Sequence, residues 1–237
     1  MAIGERDPRR NHLLRSLAAD QYARLERHLQ IVAMAARQPA YTANESLTTA
    51  YFPMTGVLAL VTRLSTGETL AVATIGNEGI VGHAIALGTE RMPFHVVCKV
   101  AATCAAIRAD ILREQLRADS QLHALLLRNT QALFNQVALV ATCNRAHVIE
   151  QRLPRCLLLM HDRSGLDEFS LTHEFLAEIL GVRRATITEA ANALQQKGLI
   201  AHARGRVRIV NRPALEAAAC ACYRAMQQEY EQEVLAA

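Results

Sequence analysis

Residues 171–189 constrain this 237-residue chain more than any other stretch. Phe175, Leu176, Ile179 and Leu180 recur at helical spacing, Gly181 follows, and Ile187, Ala190, Ala191 and Leu194 repeat at i, i+3, i+4 and i+7. The pattern predicts two short helices joined at Gly181, where glycine lets the backbone turn left-handed and leave the first helix. The second helix buries one stripe, and Arg183, Arg184, Thr188 and Asn192 are left for its outer face, with Thr186 and Glu189 beside them. A helix that opens on two arginines and carries hydrogen-bonding side chains suits major-groove base edges and flanking phosphates.

An ordinary pair of core helices would share the helix-glycine-helix pattern. The residues that follow favour the DNA reading. Lys197 and Gly198 close the second helix. Leu199-Ile200-Ala201 and Val207-Arg208-Ile209-Val210 then read as two short strands around Arg204-Gly205-Arg206, a hairpin with an arginine-bearing tip. Between Arg183 and Arg212 stand seven basic residues and one acidic residue, Glu189, a bias that attracts a polyanion.

These residues resemble the winged helix of the CRP/FNR family of bacterial transcription regulators. The match runs through Leu171-Thr172, Ala177-Glu178-Ile179-Leu180-Gly181-Val182-Arg183-Arg184-Ala185-Thr186-Ile187-Thr188 and Ala193-Leu194-Gln195-Gln196-Lys197-Gly198-Leu199-Ile200. The resemblance implies a homodimeric regulator of double-stranded DNA with an N-terminal sensor domain and RNA polymerase as a partner. It puts Arg184 at the position of a base-reading arginine. Ala185 stands where many members carry a base-reading glutamate, and Glu189 where some carry a second arginine. Arg183 replaces the usual serine before the helix, so a side-chain N-cap is lost or altered.

The expected fold class is α+β. It comprises a double-stranded β-helix of the cyclic-nucleotide-binding type over residues 10–117, a dimerisation helix over 118–148, and a winged helix-turn-helix with a C-terminal helix over 149–237. The N-terminal part carries the texture this needs. Residues 13–37 read as helix. Runs at 56–61, 70–75, 96–100 and 102–107 read as strands, separated by turn signals such as Ser65-Thr66-Gly67-Glu68 and Gly76-Asn77-Glu78-Gly79. Within the resemblance, a cyclic-nucleotide pocket would need a Gly-Glu pair for the ribose and an Arg-Ser or Arg-Thr pair for the phosphate. Here Gly82 is followed by His83, the second stretch falls near Met92-Pro93, and Arg91 is one place out of register. An unpaired phosphate in a partly buried site is costly. The expectation is therefore no cofactor, an unknown effector and no cyclic AMP, with Gly82, His83 and Arg91 as the ligand-pocket candidates.

Residues 120–149 run without glycine or proline. Leu126, Thr130, Leu133, Val137, Val140 and Asn144 follow a 4-3-4-3-4 spacing that reads as a dimer seam, with Asn144 setting register. The competing reading is a long helix packed on its own sensor domain. Residues 152–163 read as the first helix of the DNA-binding domain, and Ser164-Gly165-Leu166-Asp167 as a loop.

The whole chain excludes several classes. The formal charge is +4, and the only lysines are Lys99 and Lys197. No run of eighteen uncharged apolar residues would span a membrane, and the charged start does not read as a signal peptide, so a cytoplasmic protein is expected. The six cysteines contain no CxxC, and there is none before Cys98, which argues against the family's N-terminal iron–sulfur chemistry. Cys220-Ala221-Cys222 is the only close pair. Its sequence neighbours offer no second pair or histidine at zinc spacing, so no metal is expected. The alternative function, a cupin-type metal enzyme or ligand-binding protein with a DNA-binding tail, needs a His-x-His that the chain lacks. No hydrolase, P-loop or dinucleotide motif is present, and no enzyme is expected.

Overall fold

The computed structural model describes residues 6–166 and 168–235. A 3-10 turn at Pro8–Arg10 leads into α1 (His12–Ser16) and α2 (Ala19–Glu26). Asn11 is fully buried and anchors this start. Its Oδ1 accepts from the Leu13 and Leu14 amides, and its Nδ2 donates to Pro53 O and Gly79 O, each at 2.9 Å. The single helix expected over 13–37 does not form. It breaks at Leu17-Ala18, and Gln30–Met34 is instead strand β1, paired antiparallel with residues 102–106. The β-branched Ile31 and Val32 fit a ladder better than a helix, and the partner strand supplies the hydrogen bonds.

The sheet continues with β2 (Pro39–Tyr41), β3 (Thr49–Arg63), β4 (Thr69–Ile75) and β5 (His95–Arg108). Its order is β1-β5-β3-β4, with β2 also on β5, and every pairing is antiparallel. The two runs expected at 96–100 and 102–107 are one strand. β3 and β5 bend together through register shifts between Pro53 and Val57. Gly56 makes the bend possible. Its φ is +76°, and a Cβ there would sit 2.3 Å from Ala101 O.

The uninterrupted apolar run of β3 is buried on both faces. Leu58 and Leu60 join the N-terminal core with Phe52, Met54, Ile80 and Ile107, while Val57, Ala59 and Val61 join a second core shared with the C-terminal helices. The sheet is thus a common wall between the two units.

After the sheet come α3 (Ala109–Ala118) and the long α4 (Ser120–Ala146), capped by Asp119, whose carboxylate accepts from the Gln121 and Leu122 amides. Next follow α5 (Ile149–Ser164), β6 (Glu168–Ser170), α6 (His173–Leu180), α7 (Arg184–Gln196), β7 (Ile200–Ala203), β8 (Arg206–Ile209), α8 (Arg212–Ala218), α9 (Cys222–Tyr230) and a π-helical turn at Glu231–Leu235. Strand β6 was not legible in the sequence. It completes a three-stranded sheet ordered β6-β8-β7. Of the expected loop 164–167, Asp167 lies outside the described residues.

The expected seam on α4 faces partly the wrong way. Leu126 is fully buried in the N-terminal core of its own chain, and Leu133 and Val140 pack half-buried against the two cores. The outward line is shifted by one residue. Leu127, Phe134 and Ala141 are exposed at heptad spacing, flanked by Thr130, Val137 and Asn144. A helix that packs on its own domain must give up one face, and spacing alone does not say which.

Candidate nucleic-acid interface

The helix-turn-helix is built as its residue pattern requires. The Thr172 hydroxyl caps α6 by accepting from the Phe175 amide at 3.2 Å. Gly181 ends α6 with φ +61°, in the left-handed region. Phe175, Leu176 and Leu180 of α6 and Ile187, Ala190, Ala191 and Leu194 of α7 are all buried in one core. This fixes α7 by its apolar stripe and turns the other side outward. Arg183 occupies the N-cap of α7 and makes no side-chain cap. The first N–H groups of α7 therefore remain available, next to two exposed guanidinium groups, at the positive end of the helix dipole.

The other predicted residues divide into exposed and engaged. Arg184, Glu189 and Asn192 are exposed, and Thr186 and Thr188 half-exposed. Thr188 donates to Arg184 O at 3.1 Å, within one turn of α7, and its hydroxyl lies 3.0 Å from His173 Nδ1. Asn192 Oδ1 lies 3.2 Å from His202 Nε2. The His173 and His202 rings are 5.3 Å apart, so a histidine pair sits between α6, α7 and the wing. Burial first, then the nearby His202 and Arg184, lowers the His173 pKa and so favours its neutral form.

The wing is the β7–β8 hairpin. Its two-residue tip, Arg204-Gly205, has φ +49° and +76°, the left-handed pair of a tight hairpin turn. Arg204, Arg206 and Arg208 share one shallow concavity with His202 and Glu168. Glu168, on β6, holds Arg206 at 2.9 Å. His173, His202, Arg208 and Glu168 were missed by sequence reasoning. His173, His202 and Glu168 belong to the surface through partners distant in sequence, such as Glu168 to Arg206, and no local pattern carries those pairings.

The ligand-pocket candidates are set differently. Gly82 has φ +106°, and a Cβ there would lie 2.7 Å from the Tyr41 hydroxyl, which donates to backbone oxygens of Thr49 and Val81. His83 opens a three-residue 3-10 turn. Its Nδ1 is buried without a partner, and burial lowers its pKa. Arg91 is exposed, and its backbone bridges to Ser46.

The helix-turn-helix unit is tied to the N-terminal sheet by charge as well as by the shared core. Arg163 of α5 sits 2.9 Å from Glu78, donates to Thr74 O and Thr74 Oγ1, and reaches Gln136 of α4 at 2.6 Å. Lys99 of β5 pairs with Glu178 of α6 at 2.5 Å and lies over the Phe175 ring. No helix among the described residues is long and apolar enough to cross a membrane.

Residues 151–218 match the model of the Crp-like helix-turn-helix domain. By sequence, the chain matches no curated protein. Its fold is similar to that of FixK2 from Bradyrhizobium japonicum, with 16% identity and a TM-score of 0.69 over 81% of this chain and 98% of that one. A CRP-family transcriptional regulator from Thermus thermophilus is similar at 20% identity and a TM-score of 0.65, over 79% and 96% of the two chains. The c-di-GMP-responsive regulator CLP from Xanthomonas campestris is similar at 15% identity and a TM-score of 0.61, over 81% and 99%. The chain therefore has the fold of the CRP/FNR transcription regulators and carries on it, at residues 151–218, a Crp-like helix-turn-helix DNA-binding domain.

Proposed function

We propose that the chain is a homodimeric, sequence-specific transcription regulator whose sensor domain does not use cyclic AMP, and that it has no catalytic activity. The observation that carries this reading is the outer face of α7. Arg183, Arg184 and Asn192 stand exposed at and beyond an uncapped helix N-terminus, flanked by the arginine-lined wing. Arg184 reads a base, Arg183 and the wing arginines hold phosphates, and Asn192 is oriented by His202.

The dimer reading rests on the apolar line Leu127, Phe134, Val137 and Ala141. Phe134 is 67% exposed in the single chain, an unusual cost for a large aromatic ring unless a second copy covers it. Two copies give two recognition helices for an imperfect palindrome with half-sites about 34 Å apart. RNA polymerase is the partner expected of such a regulator, acting where the promoter brings the two together.

The pocket chemistry supports loss of the cyclic nucleotide. His83 offers no carboxylate to a ribose, the Tyr41 hydroxyl lies against Gly82, and Arg91 is on the surface. The test is selection of genomic DNA fragments on the purified chain, followed by competition of the selected site against random DNA. A palindromic site preferred by orders of magnitude supports the reading. Equal binding to random DNA makes the chain an architectural binder instead. Calorimetry with millimolar cyclic AMP should show no saturable heat.

A further inference from the structure

Cys143 and His147 lie one turn apart at the C-terminal end of α4, so both project from the same face. Cys220 and Cys222 lie on either side of Ala221, the N-cap of α9, and Cys222 is that helix's first residue. Folding brings these two pairs, more than seventy residues apart in sequence, into one cluster. Their Sγ and imidazole nitrogen atoms all lie within 4.8 Å of one another. Cys143 Sγ is 3.5 Å from Cys220 Sγ, and Cys222 Sγ is 3.7 Å from His147 Nδ1. A tetrahedral zinc ion with metal–sulfur bonds of about 2.3 Å places its ligand atoms about 3.8 Å apart. A disulfide would need sulfurs about 2.05 Å apart. The Cys143–Cys220 and Cys222–His147 separations fit ligands around a cation and not a disulfide.

Two buried arginines beside the cluster supply an independent observation. Arg155 is 2% exposed, its Nε and Nη2 have no hydrogen-bond partner, and its Nη1 reaches only Met226 Sδ at 3.7 Å. Arg152 donates to Asn144 Oδ1 and Leu180 O, and its Nε is unpartnered. Among the described residues no carboxylate pairs with either guanidinium. Both guanidinium groups lie close enough to the cluster to interact with its sulfur atoms by charge. A buried cation without a counter-charge is expensive. One divalent ion bound by three thiolates and a neutral imidazole carries one net negative charge, which is what this arginine pair lacks.

We propose that Cys143, His147, Cys220 and Cys222 form a four-ligand site for a divalent, thiolate-preferring cation of the zinc class. Binding replaces three S–H bonds with three sulfur–metal bonds and releases three protons, while the imidazole binds in its neutral form. All four positions are filled by protein, so the site is closed and holds structure rather than activating water. It fastens the end of α4 to the α8–α9 junction, next to the α4–α5 joint. The ion thereby sets the angle between the long helix and the DNA-binding unit.

The site is tested on the full chain, purified under reducing conditions, stripped with a chelator and titrated with Co(II) and then Zn(II). The expected result is about one equivalent of Co(II) per chain, with the thiolate charge-transfer and tetrahedral d–d bands that Zn(II) displaces. X-ray absorption of the zinc-loaded wild type should show three sulfur neighbours and one nitrogen. Cys222→Ser and His147→Gln, checked for folding by circular dichroism, should each lose the cobalt signal, and Cys104→Ala should keep it. The proposal is overturned if the wild type gives no thiolate–cobalt band, if the spectrum is unchanged in folded Cys222→Ser, or if the reduced preparation contains a Cys143–Cys220 disulfide. The wild-type spectra decide the question even where a variant fails to fold.

Discussion

The Arg163 guanidinium lies 2.9 Å from the Glu78 carboxylate, across the joint between the N-terminal sheet and the helix-turn-helix unit. Both side chains are largely buried, and Arg163 also satisfies Thr74 and Gln136. Gly76 lies against the same arginine, where an added Cβ would sit 2.4 Å from Arg163 Cβ. Removing the arginine strands a carboxylate, a carbonyl and an amide together. Arg163→Met should therefore cost about 2–4 kcal/mol in urea unfolding, and Glu78→Gln less, because it leaves an acceptor in place. Equal midpoints for wild type and Arg163→Met would show that the joint does not depend on this contact.

The recognition helix gives a second expectation. Arg184→Ala should lose about 1–3 kcal/mol on the selected site and relax selectivity at one base position. Glu168→Gln should act oppositely. It releases Arg206 from its ion pair, so affinity for specific and random DNA alike should rise, with a salt dependence steeper by up to about one phosphate contact. Fluorescence anisotropy across a salt series measures both. Wild-type affinity for Arg184→Ala would remove α7 from its assigned role.

The two faces of α4 should respond differently to charge. Phe134→Glu places a carboxylate on the exposed line and should yield a folded monomer with weakened DNA binding. Leu126→Glu places one in the N-terminal core and should unfold the chain, since a buried, unpaired carboxylate costs several kcal/mol. Sedimentation and circular dichroism separate these outcomes. A Phe134→Glu chain that stayed dimeric would move the interface elsewhere.

Acid sensitivity follows from His12. Its ring is largely buried and its Nδ1 has no partner; burial first, then the nearby Arg15, lowers its pKa to about 4. Unfolded, it titrates near the usual 6.5. Between these values the unfolded chain binds the proton and the folded chain does not, so stability is fully present above about pH 6.5 and is lost as pH falls toward 4. The contribution is at most about 3 kcal/mol, reduced by partial solvent access. His12→Phe should flatten the thermal midpoint between pH 6.5 and 4.5. An unchanged slope in that variant would assign the acid response to other groups.

The helix-turn-helix was legible because its signals are local. The Phe175–Leu180 and Ile187–Leu194 stripes, Gly181 between them, and the Arg204-Gly205 tip each depend on residues within two turns or one hairpin of each other. Residues 30–34 were misread by extending a helix past its last apolar repeat at Leu29, and the ladder offered by β5, about seventy residues away, takes them instead. The α4 seam was displaced by one residue for the same kind of reason. Periodicity marks that a helix has apolar faces, and only the position of the N-terminal core decides that Leu126 turns inward and Phe134 outward. Strand β6, the Arg163–Glu78 joint and the Cys143–His147–Cys220–Cys222 cluster had no local signal at all. Sequence alone determined which segments could read DNA. Tertiary packing decided which distant side chains share a dielectric, a counter-charge or a ligand, because those depend on distances that spacing along the chain does not encode.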